Sequence, residues 1–405
     1  MEKYSSYKDS GVKWLGEIPS HWEVLALKHV LKSKKDIVGK HSSQYDLLSL
    51  TLKGIIKRDM ENPEGKFPTS FDTYQVVYPN DFIFCNFDNE ETPRAVGLSP
   101  YKGMITGAYD VLFRKNPNLT DNYLIYYFLY IDDAKRFKPL YKGLRKTVPF
   151  DSFMSYKIPV PPLSEQDAIV SYLDTVTSKI DVAIEQQKKM IELLNERKQI
   201  IINNAVTKGL DPNVKMKDSG VDWIGEIPEG WEVRKLKHIA KLQSGDTINS
   251  DRFTEYGYPV YGGNGFRGYT DRYTNDGEYV LIGRQGALCG NVNYAKGQFF
   301  ASEHAVVVYP HKEENLIWLG EVIRASNLNQ YSQSAAQPGL AVGLIQNIYY
   351  PYPTTEEKEK IALFIEKNIQ NIDRAISNCN TQISLLQERK QIIINEVVTG
   401  KVKVS

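Results

Sequence analysis

The chain holds 405 residues, 41% of them hydrophobic, with 50 Lys and Arg against 49 Asp and Glu and a formal net charge of +1. That length predicts two or more domains with room for a large core, and the charge balance does not announce a nucleic-acid binder by bulk attraction. The longest apolar run, from Tyr123 to Ile131, is far short of the roughly 18 residues of a spanning helix, and the start lacks a secretory pattern, so no membrane is expected.

In chain order the first element is an arm, KDSGVKWLGEIPSHWEVLALKHVLK from Lys8 to Lys32. It returns as KDSGVDWIGEIPEGWEVRKLKHIAK from Lys217 to Lys241, with 17 of 25 positions identical. Between arm and helix, residues 33–157 read as mixed β-rich structure with an apolar, helix-like stretch from Asn122 to Lys138. Lys135, Arg136, Lys138, Lys142, Arg145, Lys146 and Lys157 outnumber Asp132, Asp133 and Asp151 there, a local excess of +4 (7 − 3). Such a cluster suits phosphate binding, with Lys142, Arg145 and Lys146 as candidates; a solvated basic face is the plain alternative.

A long helix follows. Pro161 and Pro162 forbid earlier helix, Ser164 to Asp167 has capping-box spacing, and Ile180, Ile184, Ile191, Leu194 and Ile201 follow a three-and-four spacing. Gly209 stops it in the helix-hostile linker from Lys208 to Asn213. After the repeated arm, residues 242–350 are rich in Gly, Tyr and Asn, with β-type runs GEYVLIG and AVVVYP divided by turn signals such as YGGNGFRGY. A second long helix then opens after Pro353 at Thr354 to Glu357, carries Ile372, Ile376, Ile383, Leu386 and Ile393, and stops at Gly400. Each helix has about 43 residues, a rod of roughly 65 Å. The ends Leu193–Thr207 and Leu385–Thr399 share 12 of 15 positions. The apolar stripes are expected to pair the rods with each other, and the polar seam positions Gln187, Lys198 and Lys390 to set their register.

The arms lie 209 positions apart (217 − 8) and the helix ends 192 (385 − 193), so a repeated frame surrounds two unlike inserts. Such a frame is what is expected if it docks two equivalent partners while each insert recognises something different; the plain alternative, two worn copies of one repeat, would diverge more evenly. The expected domains are an N-terminal arm with its insert (1–160), a first long helix (161–208), a linker with the repeated arm and second insert (209–350), and a second long helix (351–405). Trp14, Trp22, Trp223 and Trp231 are expected to pack each arm onto its insert or helix. Glu196 and Arg197, repeated as Glu388 and Arg389, are expected to be exposed and to dock a partner, because a core does not need polar residues repeated unchanged.

Catalytic signatures are missing. None of the three Gly-Lys dipeptides is followed by Ser or Thr, there is no amino-methyltransferase motif, and no Gly-rich cofactor fingerprint follows a convincing strand. Cys85, Cys289 and Cys379 make neither a disulfide framework nor a C-x-x-C spacing, which fits a reducing cytoplasm, and the six histidines make no metal motif. Glu303-His304 reads as a structural or hydrogen-bonding pair rather than an acid–base dyad. The chain is expected to bind no cofactor or metal and to catalyse nothing alone.

Recognition residues are present. Asn264 and Arg267 in GGNGFRGY, Arg284 and Gln285 in LIGRQGALCG, His304, and Gln337 in SQSAAQPGL are types that read base edges or hold phosphates, beside glycines that let backbone approach a ligand. Counting back from the second helix places Arg145 opposite Gln337, so the equivalent loop carries a different side chain in each insert.

The frame KDSGVKWLGEIP, Pro-Pro-Leu-Ser-Glu-Gln, ERKQIII, VTKGLDPN and KDSGVDWIGEIP resembles the specificity subunit of type I restriction–modification systems over nearly the whole chain. That resemblance implies an α+β fold of two β-rich mixed target-recognition domains separated by two long antiparallel, coiled-coil-like helices, with an internal pseudo-two-fold repeat. It implies binding to double-stranded DNA, each recognition domain reading half of an asymmetric bipartite site while the helices measure the unread spacer. Its partners would be two methyltransferase subunits, which methylate adenine with S-adenosylmethionine, and two restriction subunits, which use ATP and Mg. Two departures stand out: the second helix opens on Pro-Thr-Thr-Glu-Glu-Lys, and residues 33–157 match the family pattern loosely. The rival readings are a free-standing nuclease, a scaffold whose inserts bind protein or glycan, and an inactive or alternative copy.

Overall fold

The computed structural model describes residues 2–59, 70–286, 288–332 and 339–404. It is α+β and divides into two compact units, one made of residues 1–186 with 382–405 and the other of residues 187–381.

In the first unit the arm folds as Tyr7–Asp9 paired antiparallel with Glu17–Pro19 and runs into the buried Trp22. Its next strand, Glu23–Ala26, pairs antiparallel with Lys157–Val160, so residues 27–156 leave the frame and rejoin it at one place. Inside this loop lie β1 (Leu31–Lys34), β2 (Phe82–Phe84), β3 (Val96–Leu98) and β4 (Asp110–Arg114), an antiparallel sheet in the order β1-β4-β2-β3. Side chains alternate across a strand, so Phe82, Phe84 and Leu112 join the main core, which includes Tyr123, Leu124 and Phe128 of helix α1 (Asp121–Asp133). Ile83 and Val111 face the other way, into a second core with Leu48 and Ile55 of a short ribbon. Helix α2 (Leu163–Lys208) then begins.

The second unit repeats the plan. Met216–Asp218 pairs with Glu226–Pro228, Trp231 is buried, and Glu232–Lys235 pairs with Tyr349–Tyr352 to close the loop of residues 236–348. This insert holds β5 (Ala240–Ser244), β6 (Tyr258–Gly262), β7 (Gly265–Thr270), β8 (Asn275–Gly283), β9 (Val292–Ala301) and β10 (Ala305–Pro310). The sheet order is β5-β10-β8-β9-β6-β7, and the β6–β9 pair alone is parallel. Val280, Ile282, Val306 and Val308 share a core with helix α3 (Leu316–Ala325), while Leu281 and Val307 meet Phe299 and Ala301 on the opposite face. Helix α4 (Thr355–Val398) follows.

Each unit contains the beginning of one long helix and the end of the other. Ile180, Ile184 and Ile393 are buried in the core of the first unit, with Ile383 and Leu386 packed against it. In the second unit Ile372 is buried, and Ile191, Leu194, Ile201 and Ile376 are half-buried. Asp181 takes Lys390 at 2.7 Å in the first unit, and Asp373 takes Lys198 at 2.7 Å in the second. The four residues are equivalent in pairs, 192 positions apart (373 − 181 and 390 − 198), so the same ion pair is built twice. The helix ends are matched too. A Cβ at Gly209 would fall 3.2 Å from Trp231, and one at Gly400 would fall 3.0 Å from Trp22 and closer still to Pro19; both glycines have positive φ, +76° and +74°.

The helix starts differ from the expectation of two capping boxes. At the second, Thr354 Oγ1 accepts Glu357 N (3.3 Å) while the Glu357 carboxylate accepts Thr354 N (3.1 Å), a reciprocal box. At the first, Ser164 lies inside the helix and Pro162 holds the equivalent place, its carbonyl accepting Glu165 N and Gln166 N. Proline has no N–H for a box to satisfy, so Glu165 turns instead to the arm. Trp22 Nε1 donates to it at 2.9 Å and Tyr4 Oη at 3.0 Å; Glu357 takes Trp231 Nε1 at 3.0 Å. The Gln-to-Lys departure is also resolved. Buried Gln166 bonds the backbone at Thr120, Asn118 and Pro161, whereas its counterpart Lys358 is buried against Glu314 (2.6 Å), over the Trp318 and Tyr352 rings. Burial pulls the Lys358 pKa down against the pull of Glu314.

Candidate nucleic-acid interface

In the second insert four loops meet at one end of the sheet, and glycine makes their approach possible. A Cβ at Gly245 would fall 2.2 Å from the Ala301 carbonyl, one at Gly283 would fall 2.1 Å from the Gly263 carbonyl, and one at Gly263 would lie 3.1 Å and 3.2 Å from the Gln285 and His304 carbonyls. Arg284 N donates to His304 O (2.8 Å) and Leu340 N to Arg284 O (2.9 Å), tying two of these loops to each other and to the segment at Leu340. Asn264, Arg284, Gln285 and His304 are thereby brought to one loop cluster. Asn264 and Gln285 are exposed; Arg284 and His304 are half-buried.

Neighbours aim these side chains. Asn291 Nδ2 donates to Asn264 Oδ1 (3.0 Å), and Arg284 Nη1 donates to Ser244 Oγ (3.2 Å). His304 Nε2 lies 3.1 Å from Glu303, whose other oxygen accepts Ile248 N. Arg267 departs from the group: its side chain lies across Gly262 and over the Phe253 ring, 5.6 Å from the centroid. Gln337 lies outside the described residues. Sequence reasoning missed Ser244 and Asn291, which become visible only once the strand order is known.

The first insert corrects the charge reading. The local excess of +4 does not persist in space, because acidic residues some fifty positions earlier fold onto it. Arg145 pairs with Asp88 (2.6 Å), Lys146 with Glu90 (2.5 Å) and Glu91 (3.6 Å), and Lys138 with Glu90 (2.8 Å). Hydrogen bonds from Lys138 and then Lys146 hold the Glu90 carboxyl down at about 2, and the Arg145 hydrogen bond lowers that of Asp88. Lys142 and Arg145 are exposed and Lys146 half-buried, on a tight hairpin from Lys142 to Thr147 whose end residues exchange backbone hydrogen bonds of 2.9 and 3.0 Å. Val148 N donates to Asn86 O just as Leu340 N donates to Arg284 O, 192 positions on (340 − 148). The hairpin therefore stands at the same end of its sheet as the loop cluster of the second insert.

Along the helices, Glu196, Arg197, Glu388 and Arg389 are exposed. Lys198 and Lys390 in the same repeated motif are not surface features in the same sense, since each is half-buried and paired across to the other helix. Beside the exposed residues stand apolar ones: Leu193 and Ile200 flank Arg197 on one face of α2, and Leu385 and Ile392 flank Arg389 on α4, all four more than 45% exposed. Among the described residues no group of three His, Cys, Asp or Glu side chains is placed to hold a metal ion, and no helix is long and apolar enough to cross a membrane.

Comparison with known proteins follows the same lines. The family profile described as type I restriction modification DNA specificity domain matches residues 96–193 and 228–384. The type I restriction enzyme EcoprrI specificity subunit of Escherichia coli is 43% identical over 157 residues, 36% of this chain and 39% of that protein, so the match spans about two fifths of that relative. The type I restriction enzyme MjaVIII specificity subunit of Methanocaldococcus jannaschii is 26% identical over 334 residues, 75% of each chain. A chain solved in work on complex assembly and conformational transition of the type I R-M system superposes with a TM-score of 0.72 at 14% identity, covering 95% of this chain and 99% of that one. The HsdS subunit from Thermoanaerobacter tengcongensis superposes with a TM-score of 0.51 at 15% identity, covering 95% and 98%. At such identities the superpositions speak for the fold alone.

Proposed function

The chain belongs to the type I restriction modification DNA specificity family, and on that premise we propose that its two inserts each bind one half of an asymmetric bipartite site on double-stranded DNA. Lys142, Arg145 and Lys146 contact one half-site; Asn264, Arg284, Gln285 and His304 contact the other, and Arg267, laid over Phe253, stands apart from that group. The two long helices hold the half-sites at a fixed spacing and seat two copies of a methyltransferase subunit. Glu196, Arg197, Glu388 and Arg389, with the leucines and isoleucines that flank them, form the two equivalent seats. Adenine methylation with S-adenosylmethionine, and cleavage by two restriction subunits with ATP and Mg, take place in those partners in the cytoplasm, while this chain supplies the address.

One observation carries the reading: the frame repeats its Trp22–Glu165 and Trp231–Glu357 bonds and its twin Asp–Lys pairs around inserts whose sheets, among the described residues, differ in strand number and order. A repeated seat suits one partner used twice, and unlike inserts suit two different targets. The test is to co-express the chain with a methyltransferase partner and map modified adenines across the host genome by long-read sequencing. A bipartite motif with a fixed gap is expected. A complex that forms yet methylates without sequence preference overturns the proposal, and failure to form a complex favours a scaffold.

A further inference from the structure

We propose that Arg145 reads a guanine in the half-site taken by the first insert, with Asp88 and Phe87 as positioning residues and Leu144 as the apolar contact beside it. The assignment rests on the recognition role proposed above and adds to it a base identity and the residues that enforce it.

The guanidinium is held in one orientation. Nε and Nη2 donate to the Asp88 carboxylate, at 3.2 and 2.6 Å from Oδ2, and its plane lies over the Phe87 ring, 4.9 Å from the centroid. A carboxylate on the Nε–Nη2 edge leaves the Nη1–Nη2 edge directed away from it. Two parallel N–H groups on that edge match O6 and N7 of guanine in the major groove. The backbone is pinned as well, since Asp88 N donates to Arg145 O at 2.7 Å. Arg145 nevertheless keeps 68% of its side chain exposed, so the fork faces solvent rather than a core.

Charge decides against the simpler role of holding phosphate. A phosphate-binding loop gains from net positive charge. Here Asp88, Glu90 and Glu91 stand beside Arg145, Lys138 and Lys146 and match them in number, which leaves Lys142 as the hairpin's remaining cation. A nearly neutral loop gains little from the DNA backbone and loses nothing against the uncharged edge of a base. The hairpin tip agrees. Leu144 is fully exposed, packing on nothing in the fold. An apolar side chain next to a fixed arginine suits the methyl group of a thymine adjacent to the guanine.

The experiment uses the full chain co-expressed with a methyltransferase partner, with adenine methylation mapped genome-wide for the wild type and for Arg145→Gln, Arg145→Lys, Asp88→Asn and Leu144→Ser. The wild-type motif should contain a G·C pair whose preference falls roughly 10- to 100-fold in Arg145→Gln, while the other half-site is untouched. Arg145→Lys keeps the charge without the fork and should lose the same preference. Asp88→Asn should weaken preference at that same position and nowhere else, which a residue with only a structural role would not do, and Leu144→Ser should relax the neighbouring position. Arg145 variants that leave the motif unaltered, or that lower methylation evenly without changing base composition, overturn the guanine assignment while the bipartite motif still upholds the recognition role. A wild type with no bipartite motif overturns both.

Discussion

Glu165 and Glu357 each take a hydrogen bond from the indole of a buried arm tryptophan. Burial raises both carboxyls, yet the bonds from Trp22, His21 and Tyr4 at Glu165, and from Trp231 and Thr354 at Glu357, outweigh it and leave both pKa values below the ordinary carboxylate range. A carboxyl lowered on folding stabilises the native state above its unfolded value of about 4.3, and that contribution is lost as pH falls through the native value. Glu165→Gln and Glu357→Gln should each cost about 2 kcal/mol near neutral pH, measured by urea denaturation. The deficit should shrink as pH falls below about 4; a deficit constant from pH 7 to pH 3 would mean that the charge is not what holds the arm. At this scale the sequence told half the story. The tryptophans and the acidic residues were both visible, but that Trp22 meets Glu165, or Arg145 meets Asp88, depends on contacts between distant positions that no local spacing encodes.

The long helices were the most legible elements, because a three-and-four stripe and a glycine stop are local signals. Three of the five apolar seam pairs 192 apart share a burial class, Ile180 with Ile372, Ile191 with Ile383 and Leu194 with Leu386, and the polar interruptions Lys198 and Lys390 form matched ion pairs with Asp373 and Asp181. What failed was the first capping box, where four residues had the right spacing but Pro162 had already taken the cap position. The inserts were read only as β-rich. Their strand order comes from pairings such as β6 with β9, distant in sequence and set by burial rather than by propensity. If the helices measure the spacer, adding seven residues to each, after Gln186 and after Thr381, keeps the stripe in phase and adds about 10 Å. The methylation motif should then keep both half-sites and gain spacer; an unchanged gap would remove the helices from that role.

Over the whole molecule, each insert leaves and rejoins the frame at one antiparallel strand pair, Glu23–Ala26 with Lys157–Val160 and Glu232–Lys235 with Tyr349–Tyr352, and is tied to its helix start by a second contact, Thr120 and Asn118 to Gln166 and Glu314 to Lys358. A loop that leaves and returns at adjacent strands can change its interior without disturbing the frame. Replacing residues 27–156 by a second copy of 236–348, with Gln166→Lys to meet the incoming copy of Glu314, should therefore give a folded chain that directs methylation to a site built from two copies of one half-site. Methylation mapping checks this, and retention of the original asymmetric motif would refute it.

The first unit also depends on residues far along the chain. Ile393, Ile394, Val397 and Val398 belong to its core, and Gly400 seats on Trp22, whereas the second unit is the single stretch 187–381. During synthesis, residue 382 is added 196 positions after residue 186 (382 − 186), a delay of roughly 10 to 40 s at 5 to 20 residues per second. Through that interval the earlier-made unit has an open apolar seat around Trp22, whereas the later-made unit has all of its own residues as soon as residue 381 is added. The half made first is thus the half finished last, and it is the one most exposed to chaperones and proteases on the ribosome.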